Sequence, residues 1–68
     1  MTITVHVNGA PRVLPSPLGL DALVAEFTRS AGGVAAALNE TVVPRAHWAA
    51  TTLADGDRVE ILTAVQGG

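Results

Sequence analysis

A single stripe of apolar residues, spaced as on one face of an amphipathic helix, sets the main limit on the fold of this chain. The stripe recurs at i, i+3, i+4 and i+7 and consists of Leu20, Leu23, Val24 and Phe27. With Asp21 suited to the first turn, it predicts one helix over residues 20–29. Gly19 is predicted as its N-cap, and Gly32-Gly33 as a left-handed C-terminal cap.

The residues before the stripe have the pattern of a β-hairpin. Residues 2–8 alternate strictly between polar and apolar side chains, as in a half-buried strand. Gly9-Ala10 follows as a turn, and residues 12–14 before Pro15 predict a short second strand.

A second hairpin is predicted after the helix. Val34–Leu38 is ambiguous because alanine favours helices, but five residues between Gly33 and Asn39 are too few for an independent helix. Length therefore favours a strand. Asn39-Glu40 predicts a turn into Thr41–Val43, which ends at Pro44 because proline cannot donate to a strand ladder.

The C-terminal part contains one more turn and one more strand. Asp55-Gly56-Asp57 predicts a tight turn, and the alternation after it predicts a strand from Val59 to near Val65. The predicted order is ββαββ-turn-β, an α+β architecture with four to five strands. One helix can cover one face of a mixed sheet, which leaves the other face to solvent or to a partner. We expect one domain over residues 1–65 and a flexible tail over residues 66–68.

Size and composition exclude several classes of protein. At 68 residues, the chain is about half the commonest domain size, which argues against an enclosed active-site cleft. Apolar residues make up 49% and charged residues 15%, which favours a packed core over disorder. A net charge of -2 gives no basic surface for nucleic acid. No membrane segment or leader pattern occurs, so we expect a soluble cytoplasmic protein without a membrane partner.

Few side chains are suited to catalysis. The chain contains no cysteine and no lysine, so two common nucleophiles are missing. Its only histidines, His6 and His47, lack the spacing of a ligand pair. Asp55 and Asp57 fit turn chemistry better than an acid–base pair. We predict no catalytic residue, no metal site and no cofactor bound by this chain.

The ending Gly67-Gly68 is the feature best suited to chemistry. Two residues without Cβ atoms leave a slender chain that can enter a narrow channel, and Gly68 carries the terminal carboxylate. A carboxylate oxygen is a poor leaving group, so acyl chemistry needs activation as a mixed anhydride by another enzyme that holds ATP and Mg²⁺. From the residues alone, a frayed terminus without function is an equally open interpretation.

The whole chain resembles a known family, and the residues that carry the resemblance most specifically lie in its second half. The matching residues are Asn39, Val43-Pro44-Arg45, Trp48-Ala49, Leu53, Asp55-Gly56-Asp57, Val59-Glu60-Ile61 and Val65-Gln66-Gly67-Gly68. In this order they resemble the ThiS-type sulfur carriers of thiamin biosynthesis, which have the ubiquitin-like β-grasp fold. The N-terminal half matches in hydrophobic pattern and length, and it departs at Gly19, where the family commonly has a Thr or Ser helix cap.

The resemblance implies a carrier and not an enzyme. An adenylating enzyme of the ubiquitin-activating type would activate Gly68, and sulfur from a cysteine desulfurase or another donor would convert it to a thiocarboxylate. Thiazole synthase would then take the sulfur. Val65, Gln66 and Gly67 match the tail that leads to the acceptor. The carrier is expected to be a monomer on its own.

Specificity would then lie in protein surfaces. Strand parity places Val59 and Ile61 towards the core and Leu62 and Ala64 on the uncovered face, which is the candidate docking surface. Arg45 could pair with a loop carboxylate or with an acidic partner, and neither alternative is favoured. The only tryptophan, Trp48, is predicted to close the core.

Three rival functions stay open. The small subunit of molybdopterin synthase shares the fold, the Gly-Gly ending and the thiocarboxylate, although the Val43-Pro44-Arg45 and Trp48 pattern argues against it. Another ubiquitin-like carrier or modifier is the second rival. The third is a binding module with an inert tail, which would keep its function without Gly68.

Overall fold

Five strands and one helix make up the fold. A computed structural model of the chain describes residues 1–28 and 33–63. The elements are β1 (Thr2–Val7), β2 (Ala10–Pro15), α1 (Leu20–Phe27), β3 (Val34–Leu38), β4 (Thr41–Val43), the 3₁₀ helix η1 (Arg45–His47) and β5 (Arg58–Thr63). The predicted ββαββ-turn-β order is confirmed.

The strands form one mixed sheet in the order β2-β1-β5-β3-β4. The last strand in sequence, β5, is the central strand. It runs parallel to β1 on one side and antiparallel to β3 on the other, while β1–β2 and β3–β4 are antiparallel hairpins. The predicted α+β architecture of a mixed sheet packed on one helix is confirmed.

The first hairpin turns one residue earlier than predicted. β1 ends at Val7, and Asn8 and Gly9 have φ of 51° and 86°, the left-handed pair that suits a two-residue hairpin. The predicted turn at Gly9-Ala10 is therefore wrong. β2 includes Pro11 and Pro15, which are tolerated because β2 is an edge strand.

The helix is shorter than the predicted span of residues 20–29. It begins after Gly19, as predicted, and its C-cap is Thr28 in an extended conformation with φ of -151°. The predicted cap at Gly32-Gly33 is wrong: Gly33 has φ of 75° but leads into β3. Arg29 and Gly32 lie outside the described residues. Thr28 and Arg29 are polar, so a helix extended to the predicted end at residue 29 would bury no further apolar side chain.

The alanine-rich segment Val34–Leu38 is a strand, as its length predicts. β5 pairs with all five of its residues and β4 with three of them, so pairing on both sides overrides the helix propensity of alanine. The predicted turn at Asn39-Glu40 is confirmed, with φ of 50° and 71°. The last strand begins at Arg58 and is described to Thr63; the predicted end near Val65 lies outside the described residues.

The core lies between α1 and one face of the sheet. Its buried residues come from the helix, from every strand except β4 and from the segment before β5: Ile3, Val5, Val7, Leu14, Leu20, Leu23, Val24, Ala36, Trp48, Leu53, Val59 and Ile61. Trp48 is 4% exposed, so its predicted place in the core is confirmed. Within residues 1–28 and 33–63, no helix is long and apolar enough to cross a membrane.

Candidate functional site

β5 brings the chain towards its C-terminus along the middle of the sheet. Val59 and Ile61 are buried against the helix, whereas Leu62 is 68% exposed on the other face, as strand parity predicts. Thr63 is the last residue described in this part of the chain. The predicted acceptor Gly68, the predicted tail residues Val65, Gln66 and Gly67, and the docking candidate Ala64 lie outside the described residues.

The uncovered face of the sheet carries an apolar surface beside the last residues of β5. We call this surface the open-face patch, and it consists of Ala35, Ala37, Val42 and Leu62. Leu62 pairs with Ala35 and Val42 with Ala37 across neighbouring strands, so the four side chains share one face. They line a shallow pocket of about 100 Å³, one residue from Thr63.

A charged surface borders the open-face patch further back along β5. His6, Glu40, Arg58 and Glu60 line a second open pocket of about 270 Å³. Arg58 and Glu40 form an ion pair of 3.7 Å between exposed side chains. Charges of both signs around an apolar centre are typical of a protein-binding surface.

Arg45 lies apart from the open-face patch. It begins η1 and lines a groove of about 260 Å³ with Asp21, Thr28 and Trp48 on the helix side of the sheet. The sequence predicts Arg45 and Leu62 as docking candidates together, but the structure places them on opposite sides of the sheet. The ion pairs described within residues 1–28 and 33–63 are Arg12–Glu26 and Arg58–Glu40, and Arg45 belongs to neither.

Asp55-Gly56-Asp57 forms the predicted turn. Gly56 has φ of 87°, and an Asp57 carboxylate oxygen accepts from the Ala54 N–H at 2.7 Å. Asp55 accepts from the N–H of Thr4, also at 2.7 Å, so it joins the turn to β1. Both aspartates are thus occupied in structure.

Two asparagines hold β5 in place through hydrogen bonds. This role of Asn8 and Asn39 was not predicted from the sequence. Asn8 bonds both backbone groups of Ile61 through its side-chain amide, and Asn39 accepts from the N–H of Arg58. The available signal is that Asn tolerates a left-handed φ in hairpin turns. That signal predicts the turn but not the bond to a distant strand.

The described residues offer binding surfaces but no reactive constellation. In residues 1–28 and 33–63 there is no cluster of three or more His, Cys, Asp or Glu side chains that could hold a metal ion. The buried side chains of the described core are all apolar apart from the indole N–H of Trp48. The described part of the chain can therefore present a surface to a partner and fix the position of Thr63.

Comparison with known proteins supports one family. The sequence model of the ThiS family matches residues 5–68. Two uncharacterized proteins named ycf40, from Porphyra purpurea and Pyropia yezoensis, are 33% and 32% identical to this chain, and each match covers 97% of this chain and 93% of the relative.

Solved structures agree with the family match. A crystal structure of a thiamine biosynthesis protein (ThiS) from Geobacter metallireducens has 33% sequence identity and a TM-score of 0.79, and the match covers 97% of this chain and all of the other. An NMR solution structure of a thiamine biosynthesis protein from the same organism has a TM-score of 0.82 at 33% identity, with 97% and 88% covered.

Proposed function

The chain belongs to the ThiS family, and on that premise we propose that Gly68 carries sulfur as a thiocarboxylate for thiazole formation. The protein is a ubiquitin-like sulfur carrier of thiamin biosynthesis. The observation that carries the proposal is the family match itself, which extends through the Gly67-Gly68 ending to residue 68.

The carboxylate chemistry proceeds in three steps on partner enzymes. The Gly68 carboxylate attacks the α-phosphate of ATP, pyrophosphate leaves, and an acyl-adenylate forms. A persulfide from a cysteine desulfurase then displaces AMP to give an acyl disulfide, which a thiol reductant cleaves to the thiocarboxylate; with another donor at the sulfide level, sulfide displaces AMP and gives the thiocarboxylate directly. Thiazole synthase accepts the sulfur as the C–S bond of Gly68 breaks, and an oxygen from the thiazole precursor or from water takes its place, which regenerates the carboxylate.

The carrier itself supplies no catalytic group in this proposal. ATP and Mg²⁺ are held by the adenylating enzyme, which is of the ubiquitin-activating type. Support comes from the side chains of the carrier, which include neither cysteine nor lysine and therefore offer few nucleophiles. A carrier that holds sulfur covalently passes it between enzymes without releasing free sulfide.

The open-face patch is proposed as the surface that the adenylating enzyme and thiazole synthase contact in turn. Leu62 and Val42 are 68% and 71% exposed, and an apolar cluster of this kind bordered by charge suits a partner surface. Ala64, which the sequence predicts for the same face by strand parity, lies outside the described residues. Arg45 is proposed as a separate contact on the helix side.

Intact-mass measurement tests the carrier chemistry. The untagged protein is incubated with a cytosolic extract, ATP and cysteine, and its mass and C-terminal fragment spectrum are recorded. We expect a mass gain equal to the replacement of one oxygen by one sulfur, localised to Gly68. A chain lacking Gly68 is the control and should gain nothing.

Two outcomes would favour the rival functions. If the mass stays unchanged while a known sulfur carrier is converted in the same extract, the inert-tail binding module is the better interpretation. If the protein is converted but a strain lacking it grows without thiamin, the carrier serves another pathway, such as molybdopterin synthesis. Isopeptide adducts on other proteins would identify a modifier.

A further inference from the structure

The last residues of β5 have a backbone neighbour on one side only. β3 pairs with β5 as far as Thr63, but the ladder between β1 and β5 pairs His6 with Arg58 and Val7 with Val59. Beyond Val59, the side of β5 that faces β1 would therefore lack partners, because the chain turns away at Asn8. The side chain of Asn8 occupies that position.

Asn8 continues the parallel ladder with its side-chain amide. Its own N–H donates to the Val59 carbonyl at 2.9 Å. In a regular parallel ladder the next bonds would come from backbone groups of residues 8 and 10. Here Asn8 has φ of 51°, and its side chain supplies both bonds. Oδ1 accepts from the Ile61 N–H at 2.9 Å, and Nδ2 donates to the Ile61 carbonyl at 3.2 Å.

We propose that Asn8 is a positioning residue for the carrier end of the chain, by which we mean the residues from Thr63 to Gly68. This inference rests on the proposed function. Asn8 holds Ile61, which lies two residues before Thr63, so β5 is hydrogen-bonded on both sides at Ile61. A partner that reaches the Gly68 carboxylate must also contact the residues between Thr63 and Gly68. Fixing their origin in advance lowers the ordering cost of binding.

Asn39 provides a matched comparison at the other end of β5. It also has a left-handed φ, of 50°, and its Oδ1 accepts from the Arg58 N–H at 2.9 Å while its own N–H donates to the Arg58 carbonyl at 2.7 Å. The Asn39 Nδ2 donates to Asp57 Oδ1 at 3.1 Å and not to β5. Asn39 thus also holds β5 through its side-chain oxygen, but at the start of the strand and far from Thr63.

The experiment compares Asn8→Gly with Asn39→Gly. Glycine keeps the left-handed backbone without strain, so each variant removes one side-chain amide. For Asn8→Gly we expect KM for the adenylating enzyme to rise roughly three- to tenfold at unchanged kcat. Asn39→Gly should stay within about twofold of the parent protein. Amide exchange at Ile61 should be at least about tenfold faster in Asn8→Gly alone.

The outcomes separate this inference from the proposed function. Equal rises in KM for both variants, in proportion to their loss of stability, would overturn the positioning role. If the parent protein itself is not converted, the proposed function fails, and the role of Asn8 fails with it.

A second variant, Asn8→Asp, replaces Asn8→Gly if the glycine variant does not fold. Asn8→Asp keeps the acceptor for the Ile61 N–H but loses the donor to the Ile61 carbonyl. An unchanged KM for this variant would again overturn the inference.

Discussion

Trp48 connects the irregular segment before β5 to the core. Its indole is buried, and its Nε1–H donates to the Val43 carbonyl at 2.8 Å. Its backbone N–H donates to the Arg45 carbonyl at 3.1 Å and closes η1. Trp48 therefore fixes the end of β4 through its side chain and closes the short helix that carries Arg45 through its backbone.

Replacing Trp48 tests this connection. Trp48→Phe keeps an aromatic ring but removes the N–H and leaves space, so we expect it to lower the free energy of unfolding by about 1–3 kcal/mol. Urea denaturation followed by far-UV circular dichroism gives the value. His47→Ala, at the exposed neighbouring position, is the control and should change it by less than about 0.5 kcal/mol. Equal effects would contradict an anchoring role for Trp48.

Single residues were predictable where burial decides their role. Trp48 is large and apolar, so its place in the core follows from its side chain. Asn8 was not predictable in the same way, because its partner Ile61 lies 53 residues further along the chain. Its polar side chain indicates a turn, and only the sheet order shows which strand the amide reaches.

The two faces of the sheet set the effects of substitutions on its strands. Leu62 on β5 and Val13 on edge strand β2 are 68% and 69% exposed, both on the face away from the helix. Leu62 lies in the open-face patch and Val13 does not. The pair therefore matches in burial and differs in distance from the carrier end.

We expect Leu62→Glu to raise KM for the adenylating enzyme roughly tenfold, because a carboxylate in an apolar contact is desolvated without a partner. Val13→Glu should change KM less than about twofold. Both variants should keep the free energy of unfolding within about 0.5 kcal/mol, as measured with urea. Equal rises in KM would indicate an effect of net charge and contradict docking at the patch.

Arg12 connects β2 to the last turn of α1. Its guanidinium lies 3.8 Å from Glu26 and 4.9 Å from the centre of the Phe27 ring. All of these groups are largely exposed, so Arg12→Gln should lower the free energy of unfolding by less than about 1 kcal/mol. Most of the loss should disappear in about 1 M salt, which screens the ion pair. A larger, salt-independent loss would show that the connection is a packing contact.

Elements were predictable to the extent that local pattern decides them. The stripe from Leu20 to Phe27 fixes the helix, and the length of Val34–Leu38 fixes a strand despite its alanines. The helix end was missed because a glycine pair indicates a possible cap but not the place where burial stops. Three-residue η1 is too short to leave any periodicity in the sequence.

The whole folded unit depends on residues well before the carrier end. The described core extends from Ile3 to Ile61, so a chain ending after Val65 should have a free energy of unfolding within about 0.5 kcal/mol of the parent. Urea denaturation followed by Trp48 fluorescence measures it, and the same variant should show no sulfur-dependent mass gain. A clearly destabilised variant would show that the last residues contribute to the fold.

The order of the strands in the sheet was the feature that local sequence patterns predicted least well. Alternation predicts strands and their faces, but the parallel pairing of β1 with β5 joins residues about fifty positions apart, and no local signal encodes it. The ThiS-type resemblance supplied the β-grasp fold because the segment from Asn39 to Gly68 matches the family in order and spacing.

The central position of β5 links folding to the completion of synthesis. The two hairpins and the helix are translated first, but the gap between β1 and β3 is filled only when β5 has emerged. A ribosome that stops before Arg58 releases a chain that lacks both the central strand of its sheet and the Gly67-Gly68 ending. Such a product exposes unpaired strand edges and is open to proteolysis. Partner enzymes therefore meet a folded surface only on chains whose translation has passed β5.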